Sequence, residues 1–284
     1  MIKTRLDVLL VDKGHFASRE AARRAVLAGQ VKIGGVVYDK PGTAVDCDSV
    51  LQVKPSSLYV SRGADKLIRA LDTFQIDATG RVALDAGAST GGFTDVLLTR
   101  GAARVIAVDV GYGQLAWRLR SDPRVDVFER VNIRHMKPDE LPAVPDLVVA
   151  DLSFISLTKV AANLLIMSAP ASDYVFLIKP QFEAGRGQVG KGGIIRDAQR
   201  HIDILNDVAA ALAESGLDLA GLTYSPITGA DGNIEFLGWF RRKGEVASPV
   251  AASSPACRQA GNDGTTQSLI EDIVKAAHAT LEKK

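Results

Sequence analysis

Two kinds of feature in this 284-residue chain have residue types and spacing suited to chemistry. The first is the segment Leu84-Asp85-Ala86-Gly87-Ala88-Ser89-Thr90-Gly91-Gly92-Phe93. A short apolar run, Val82–Leu84, precedes its acid, and a helix-patterned stretch, Thr94–Arg100, follows it. The segment therefore reads as a turn between a strand and a helix, the place where an open α/β sheet binds its ligand. Gly87, Gly91 and Gly92 would let the backbone turn tightly and approach that ligand. Free N–H groups at the start of the helix could receive a carboxylate. Asp109, ending the next apolar run Val105–Val108, is placed for a ribose diol. A glycine loop with a later acid also describes nicotinamide dinucleotide sites. The spacing here is G-x-x-x-G-G rather than G-x-G-x-x-G. That favours S-adenosylmethionine, which has no pyrophosphate to cradle.

The second feature is a set of charged residues at the ends of apolar runs. Asp151 follows Leu147–Ala150, and Lys179 follows Tyr174–Ile178. Side chains at such positions emerge on the ligand-binding rim of the sheet. A lysine there loses part of its hydration and becomes a candidate base. Glu235 interrupts the apolar run Ile234–Phe240, where an unpaired carboxylate would be costly. A lysine partner would resolve this, and Lys66, in Ser61-Arg62-Gly63-Ala64-Asp65-Lys66-Leu67, begins a helix just ahead of the sheet. Each of these residues alone reads as a surface charge. Beside a donor loop, at adjacent strand ends, they point to chemistry.

The elements that must position them follow from hydrophobic pattern. Val82–Leu84, Val105–Val108, Val125–Phe128, Leu147–Ala150, Tyr174–Ile178 and Gly221–Tyr224 read as buried strands. Thr94–Arg100, Leu115–Leu119, Leu157–Met167 and Gln199–Glu214 read as helices between them. Short continuous apolar runs separated by helices predict a doubly wound, Rossmann-like α/β fold. Ile234–Phe240 is expected as a late antiparallel edge strand. Ahead of the sheet, residues 4–13 carry Leu6, Leu9 and Leu10 at helical spacing. Ser18 would cap a second helix. Val31–Ile33, Gly34-Gly35 and Val36-Val37 predict a hairpin, and Ser49–Val53 a last strand. The expected organisation is a small α+β domain over 1–56, a linker over 57–62, a catalytic domain over 63–245, a second linker over 246–268 and a terminal helix over 269–284.

Composition excludes several classes. Hydrophobic residues make up 46% and charged residues 24%, an ordinary soluble balance. Cys47 and Cys257 have neither metal-ligand nor disulfide spacing, so no metal is expected. No run of about 18 apolar residues exists, and the first residues lack a secretory pattern. These features predict a cytoplasmic protein without stable membrane association. The net charge of +1 hides an asymmetry, because residues 1–60 carry nine positive and six negative side chains. That segment could meet an anionic partner.

At these residues the sequence resembles a known family. Ser61–Leu67, Asp85–Thr94, Asp109–Leu115, Asp151–Ser156 and Lys179–Glu183 resemble the TlyA family, with likeness running from about residue 4 to 243. The N-terminal segment resembles an S4 RNA-binding domain, and the rest an FtsJ-type class I methyltransferase domain. The resemblance implies a Lys-Asp-Lys-Glu catalytic tetrad at Lys66, Asp151, Lys179 and Glu235. It implies S-adenosylmethionine binding by Asp85, Gly87, Ser89, Thr90, Gly91, Gly92, Phe93, Asp109 and Asp151, with Glu129 and Asn132 toward the adenine edge. It further implies methylation of a cytidine ribose in ribosomal RNA of one or both subunits. Arg5, Arg19, Arg23, Arg24, Lys32 and Arg62 are then the candidate RNA contacts. Where some relatives carry Arg-x-Trp-x between the domains, this chain has Ser57-Leu58-Tyr59-Val60. Other readings are a membrane-active haemolytic protein, an RNA-binding protein that holds the donor without catalysis, and a nicotinamide oxidoreductase.

Overall fold

The computed structural model describes residues 3–16, 18–27, 29–53, 58–185, 189–229, 231–244 and 265–281. The chain divides into two compact units, Met1–Leu58 and Tyr59–Lys284.

The first unit comprises β1 (Lys3–Arg5), α1 (Leu6–Asp12), α2 (Arg19–Leu27), β2 (Val31–Ile33), β3 (Val36–Tyr38), β4 (Ala44–Asp46) and β5 (Leu51–Val53). The leucine spacing of α1 is real, and Leu6, Leu9 and Leu10 pack against Ala22, Val26, Val31 and Val45. The helix expected from residue 4 starts only at Leu6, because Lys3–Arg5 pair antiparallel with Ala44–Asp46. That partner lies some forty residues away and leaves no local mark. Ser18 Oγ accepts the Ala21 N–H at 3.3 Å and caps α2. Gly34 and Gly35 both have positive φ, as a two-residue hairpin turn demands, and β5 completes the order β3-β2-β5.

The second unit comprises α3 (Gly63–Phe74), β6 (Val82–Ala86), α4 (Gly92–Thr99), β7 (Arg104–Asp109), α5 (Trp117–Arg120), β8 (Val125–Glu129), β9 (Leu147–Ala150), α6 (Ala161–Met167), β10 (Asp173–Ile178), α7 (Pro180–Glu183), α8 (Ala198–Glu214), β11 (Leu217–Tyr224), β12 (Phe236–Arg242) and α9 (Thr265–Leu281). Among the described residues its seven strands run β11-β12-β10-β9-β6-β7-β8. β6 to β10 are mutually parallel, and β12 is antiparallel to β10 and β11. The edge position expected for the strand at 234–240 is therefore corrected. β12 is interior, and β11 forms the edge. The pattern agrees in hindsight, since Phe236–Phe240 are all buried while half of β11 is only partly buried or exposed.

Alternate residues feed two cores, as the two-residue pleat requires. Ala83, Leu147, Val149, Val175 and Leu177 meet Leu67, Leu71, Phe93 and Val96 of α3 and α4. Leu84, Val148, Ala150, Phe176 and Ile178 meet α6, α8 and α9. The terminal helix expected from residue 269 begins at Thr265. The rest of the 246–268 linker, and residues 282–284, lie outside the described residues. In this arrangement the carboxyl ends of β6, β7, β9 and β10 share one rim of the sheet.

Candidate active site

The rim carries a continuous cleft. One lobe, of about 620 Å³, is lined by Arg62, Lys66, Gly87, Ser89, Thr90, Phe93, Asp151 and Thr228 among others. The other, of about 490 Å³, is lined by Gly87, Ser89, Asp109, Gln114, Asn132, Asp151, Ser153 and Phe154 among others. Gly87, Ser89 and Asp151 border both lobes.

The tetrad candidates meet as two ion pairs. Lys66, on the second turn of α3, places Nζ 2.5 Å from Glu235 Oε2, and both residues are buried. The partner expected for Glu235 is thus supplied from 169 residues away. Lys179 Nζ stands 2.6 Å from Asp151 Oδ1 and donates a hydrogen bond to Ser153 Oγ at 2.9 Å. The register aligns these groups, because β9 and β10 pair with Ala150 opposite Phe176. Lys66 and Asp151 both line the first lobe.

The donor-loop candidates separate into those that face the cleft and those that build it. Ser89, Thr90 and Phe93 line it. Asp109 lines it too, with Oδ2 accepting the Ser89 N–H at 2.8 Å and Oδ1 the Gly111 N–H at 2.6 Å. Asn132 lines it, with its Oδ1 taken by the Arg134 N–H at 3.1 Å. Gly87 and Gly92 line the cleft, and packing behind it adds a second demand on the glycines. A Cβ on Gly87 would stand 2.5 Å from the Asp151 carbonyl oxygen, one on Gly91 2.3 Å from Leu119, and one on Gly92 2.2 Å from Ser61 Oγ. They are small so that α3, α5 and the loop after β9 can close around the donor loop. Gly91 does not line either lobe.

Two acids lie behind the cleft wall. Glu129 accepts the Gly113 N–H at 2.9 Å and pairs with the Arg120 guanidinium, so it braces the 109–114 loop. Asp85 is fully buried at the end of β6. Thr94 Oγ1 donates to its Oδ2 at 2.7 Å, while Oδ1 is buried without a hydrogen-bond partner. Burial, against the bond from Thr94 and with Asp151 and Asp109 nearby, pushes its pKa up to about 7.

Sequence reading passed over several residues here. Ser153 touches Lys179. Glu183 accepts Ser156 Oγ at 2.6 Å and the Leu157 N–H at 2.9 Å, and burial raises its pKa above the usual carboxylate range. Asn233 ties the segment before Glu235 to Ile195 and Gly193. Phe154, 90% exposed with φ of +64°, overhangs the cleft 5.0 Å from the Phe182 ring. Ser153, Ser156, Phe182 and Glu183 all fell inside motifs already singled out. Nothing in their types told them apart.

The RNA-contact candidates of the first unit also separate. Asp7 is buried and receives Arg5 at 3.0 Å and Arg19 at 2.9 Å. Its hydrogen bond from Arg5, with help from Arg19, lowers its pKa to about 2. Those two arginines are therefore committed to an internal charge cluster, although each remains about half exposed. Arg23, Arg24 and Lys32 are exposed, as is Arg62 on the cleft of the second unit.

A doubly wound sheet with a glycine loop after its first strand, and paired lysines and carboxylates on the same rim, defines a methyltransferase of the Rossmann-like class. Comparison with known proteins agrees. The FtsJ-like methyltransferase family is matched over residues 59–242 and the S4 domain over residues 4–49. The chain is 47% identical to the 16S/23S rRNA (cytidine-2'-O)-methyltransferase TlyA of Mycobacterium tuberculosis, over 92% of this chain and 98% of that protein. It is 44% identical to Hemolysin A of Brachyspira hyodysenteriae, over 83% of this chain and 99% of that protein. A solved structure from Streptococcus thermophilus, titled a hemolysin, matches with a TM-score of 0.73 and 40% identity, covering 100% of this chain and 98% of that one. The chain belongs to the FtsJ-like methyltransferases and, within them, to the TlyA family.

Proposed function

We propose that this protein methylates the 2'-hydroxyl of a cytidine ribose in ribosomal RNA in the cytoplasm, using S-adenosylmethionine. The observation that carries this reading is that two ion pairs, Lys66–Glu235 and Lys179–Asp151, each reach the cleft of the donor loop through one member, Lys66 and Asp151. The cleft suits the donor chemically. Val108, Ile133 and Leu152 supply apolar wall for a base, while Asp109 and Asp151 make the surroundings favourable to a cation. When bound, S-adenosylmethionine supplies an electrophilic methyl group on a sulfonium centre.

The residues of this chain then have to present and deprotonate the acceptor. A ribose hydroxyl is a poor nucleophile at neutral pH, so a base that takes its proton during attack raises the rate. Lys179, in its neutral form, takes the 2'-hydroxyl proton on Nζ. Asp151 holds that amine in place. Lys66, fixed by Glu235, orients the hydroxyl from the other side. Phe154 offers an exposed ring on which a nucleobase can stack. Alignment supplies much of the acceleration. The first unit contributes phosphate affinity through Arg23, Arg24 and Lys32.

Some relatives bear hemolysin names. Among the described residues no helix is long and apolar enough to cross a membrane.

The test is transfer of labelled methyl from the donor to isolated 30S and 50S particles and to naked ribosomal RNA, followed by mapping of the modified nucleotide. Lys179→Ala is expected to lower turnover by about 100-fold or more with donor binding retained. No label in any RNA, or near wild-type turnover by Lys179→Ala, would sink the reading.

A further inference from the structure

Lys179 has a second oxygen beside it that no catalytic tetrad includes. Its Nζ donates to Ser153 Oγ at 2.9 Å and stands 2.6 Å from Asp151 Oδ1. A neutral amine carries two hydrogens and one lone pair, and only the lone pair can accept a proton. Only the serine takes a hydrogen bond: Asp151 Oδ1 is close enough for an ion pair but is not aligned to accept an N–H. With one N–H held by Ser153, the lone pair is confined to the remaining staggered positions about Cε–Nζ, and without the serine the amine turns freely. We propose that Ser153 is a positioning residue that limits the direction of the Lys179 lone pair. This rests on the reading of Lys179 as the base.

The surroundings are built to hold this arrangement. Lys179 is followed by Pro180 at the first position of α7, which keeps the Lys179 backbone extended, at φ −106° and ψ 101°. Four residues beyond Lys179, Glu183 grips the loop after β9 through Ser156 Oγ and the Leu157 N–H. The loops that carry the amine and the hydroxyl are thus tied to each other. Between Ser153 and Ser156 the chain passes through Phe154 at φ +64°. A bulky residue in that region is costly and persists only where its surroundings hold it. The choice of serine also has a reason. A second carboxylate at this position would favour the ammonium, which has no lone pair. A hydroxyl accepts the N–H without adding charge.

The test uses the full-length chain with Ser153→Ala, Ser153→Thr and Lys179→Ala. The readouts are kcat and KM for RNA, donor Kd by calorimetry, and Tm. Ser153→Ala is expected to lower kcat by about 10- to 50-fold, with KM and donor Kd within about twofold and Tm unchanged. Ser153→Thr, which keeps the hydroxyl, is expected to recover most of the loss. Three results overturn the proposal: an unaffected kcat in Ser153→Ala, a parallel loss of donor affinity and Tm, or a threonine variant no better than alanine. If Lys179→Ala is inactive while Ser153→Ala is normal, only the role of Ser153 falls. If Lys179→Ala itself turns over normally, the base assignment falls with it.

Discussion

Asp85 joins burial to pH at the level of a single side chain. Its folded pKa of about 7 stands well above the ordinary carboxylate value of 3.8. Below about pH 4 both the folded and unfolded states hold the proton, so this contribution to stability is fully present. Between about 4 and 7 only the folded state holds it, so stability falls as pH rises through that window. Across pH 5.5 to 8 the loss is about 2 kcal/mol. Asp85→Asn keeps an acceptor for Thr94 Oγ1 but cannot ionise. Chemical denaturation at the two pH values should show wild type losing about 2 kcal/mol more than the variant. Equal pH dependence of the two proteins would show that Asp85 does not titrate in that window. Residues of this scale were unevenly legible. Lys66, Asp151, Lys179 and Glu235 stood out because a charge at the end of an apolar run is costly unless it has a purpose. Ser153 did not, because a loop serine is unremarkable until the fold brings an amine to it.

Single strands and loops were legible in kind and less so in place. The parallel strands announced themselves as continuous apolar runs. Pairing partners distant in sequence did not, so β1 was read as the start of a helix and β12 as an edge. The segment leading into β12 shows what that position requires. Asn233 is buried, accepts the Ile195 N–H at 3.0 Å and donates to the Gly193 carbonyl at 2.9 Å. Its own carbonyl accepts the Gly229 N–H at 2.9 Å. The side chain therefore pins the loop that delivers Glu235 to Lys66. Asn233→Ala would leave the buried Ile195 N–H without its acceptor, while the Gly193 carbonyl belongs to an exposed residue. It is expected to lower unfolding free energy by about 1 to 3 kcal/mol. Because Glu235 would lose its register, turnover should drop by about tenfold even where the protein stays folded. Denaturant titration alongside turnover at 25 °C checks both. Unchanged stability would show that water replaces the asparagine without loss.

Across the whole molecule, charge is allotted by unit. Lys66–Glu235 and Lys179–Asp151 lie in the second unit, and all four residues are needed there as pairs. In the first unit Asp7 binds Arg5 and Arg19, so part of the positive excess visible in composition is used internally. Composition counted five candidate phosphate contacts in that segment. All five are exposed, but the ion pairs of Arg5 and Arg19 with Asp7 set Arg23, Arg24 and Lys32 apart. The distinction is measurable because each phosphate contact releases counterions and adds about 0.7 to 0.9 to the slope of log affinity against log salt. Replacing Arg23, Arg24 and Lys32 together by Gln should therefore reduce that slope for ribosomal RNA by roughly 2. Donor affinity should stay the same, since none of the three lines the cleft. Arg19→Ala should behave differently. It removes a partner from the buried Asp7 carboxylate, so it should destabilise the first unit more than it changes the salt slope. Titrations of RNA binding at several salt concentrations, with thermal unfolding of the same proteins, separate the two effects. A triple variant with an unchanged slope would move the RNA-binding surface away from α2 and β2.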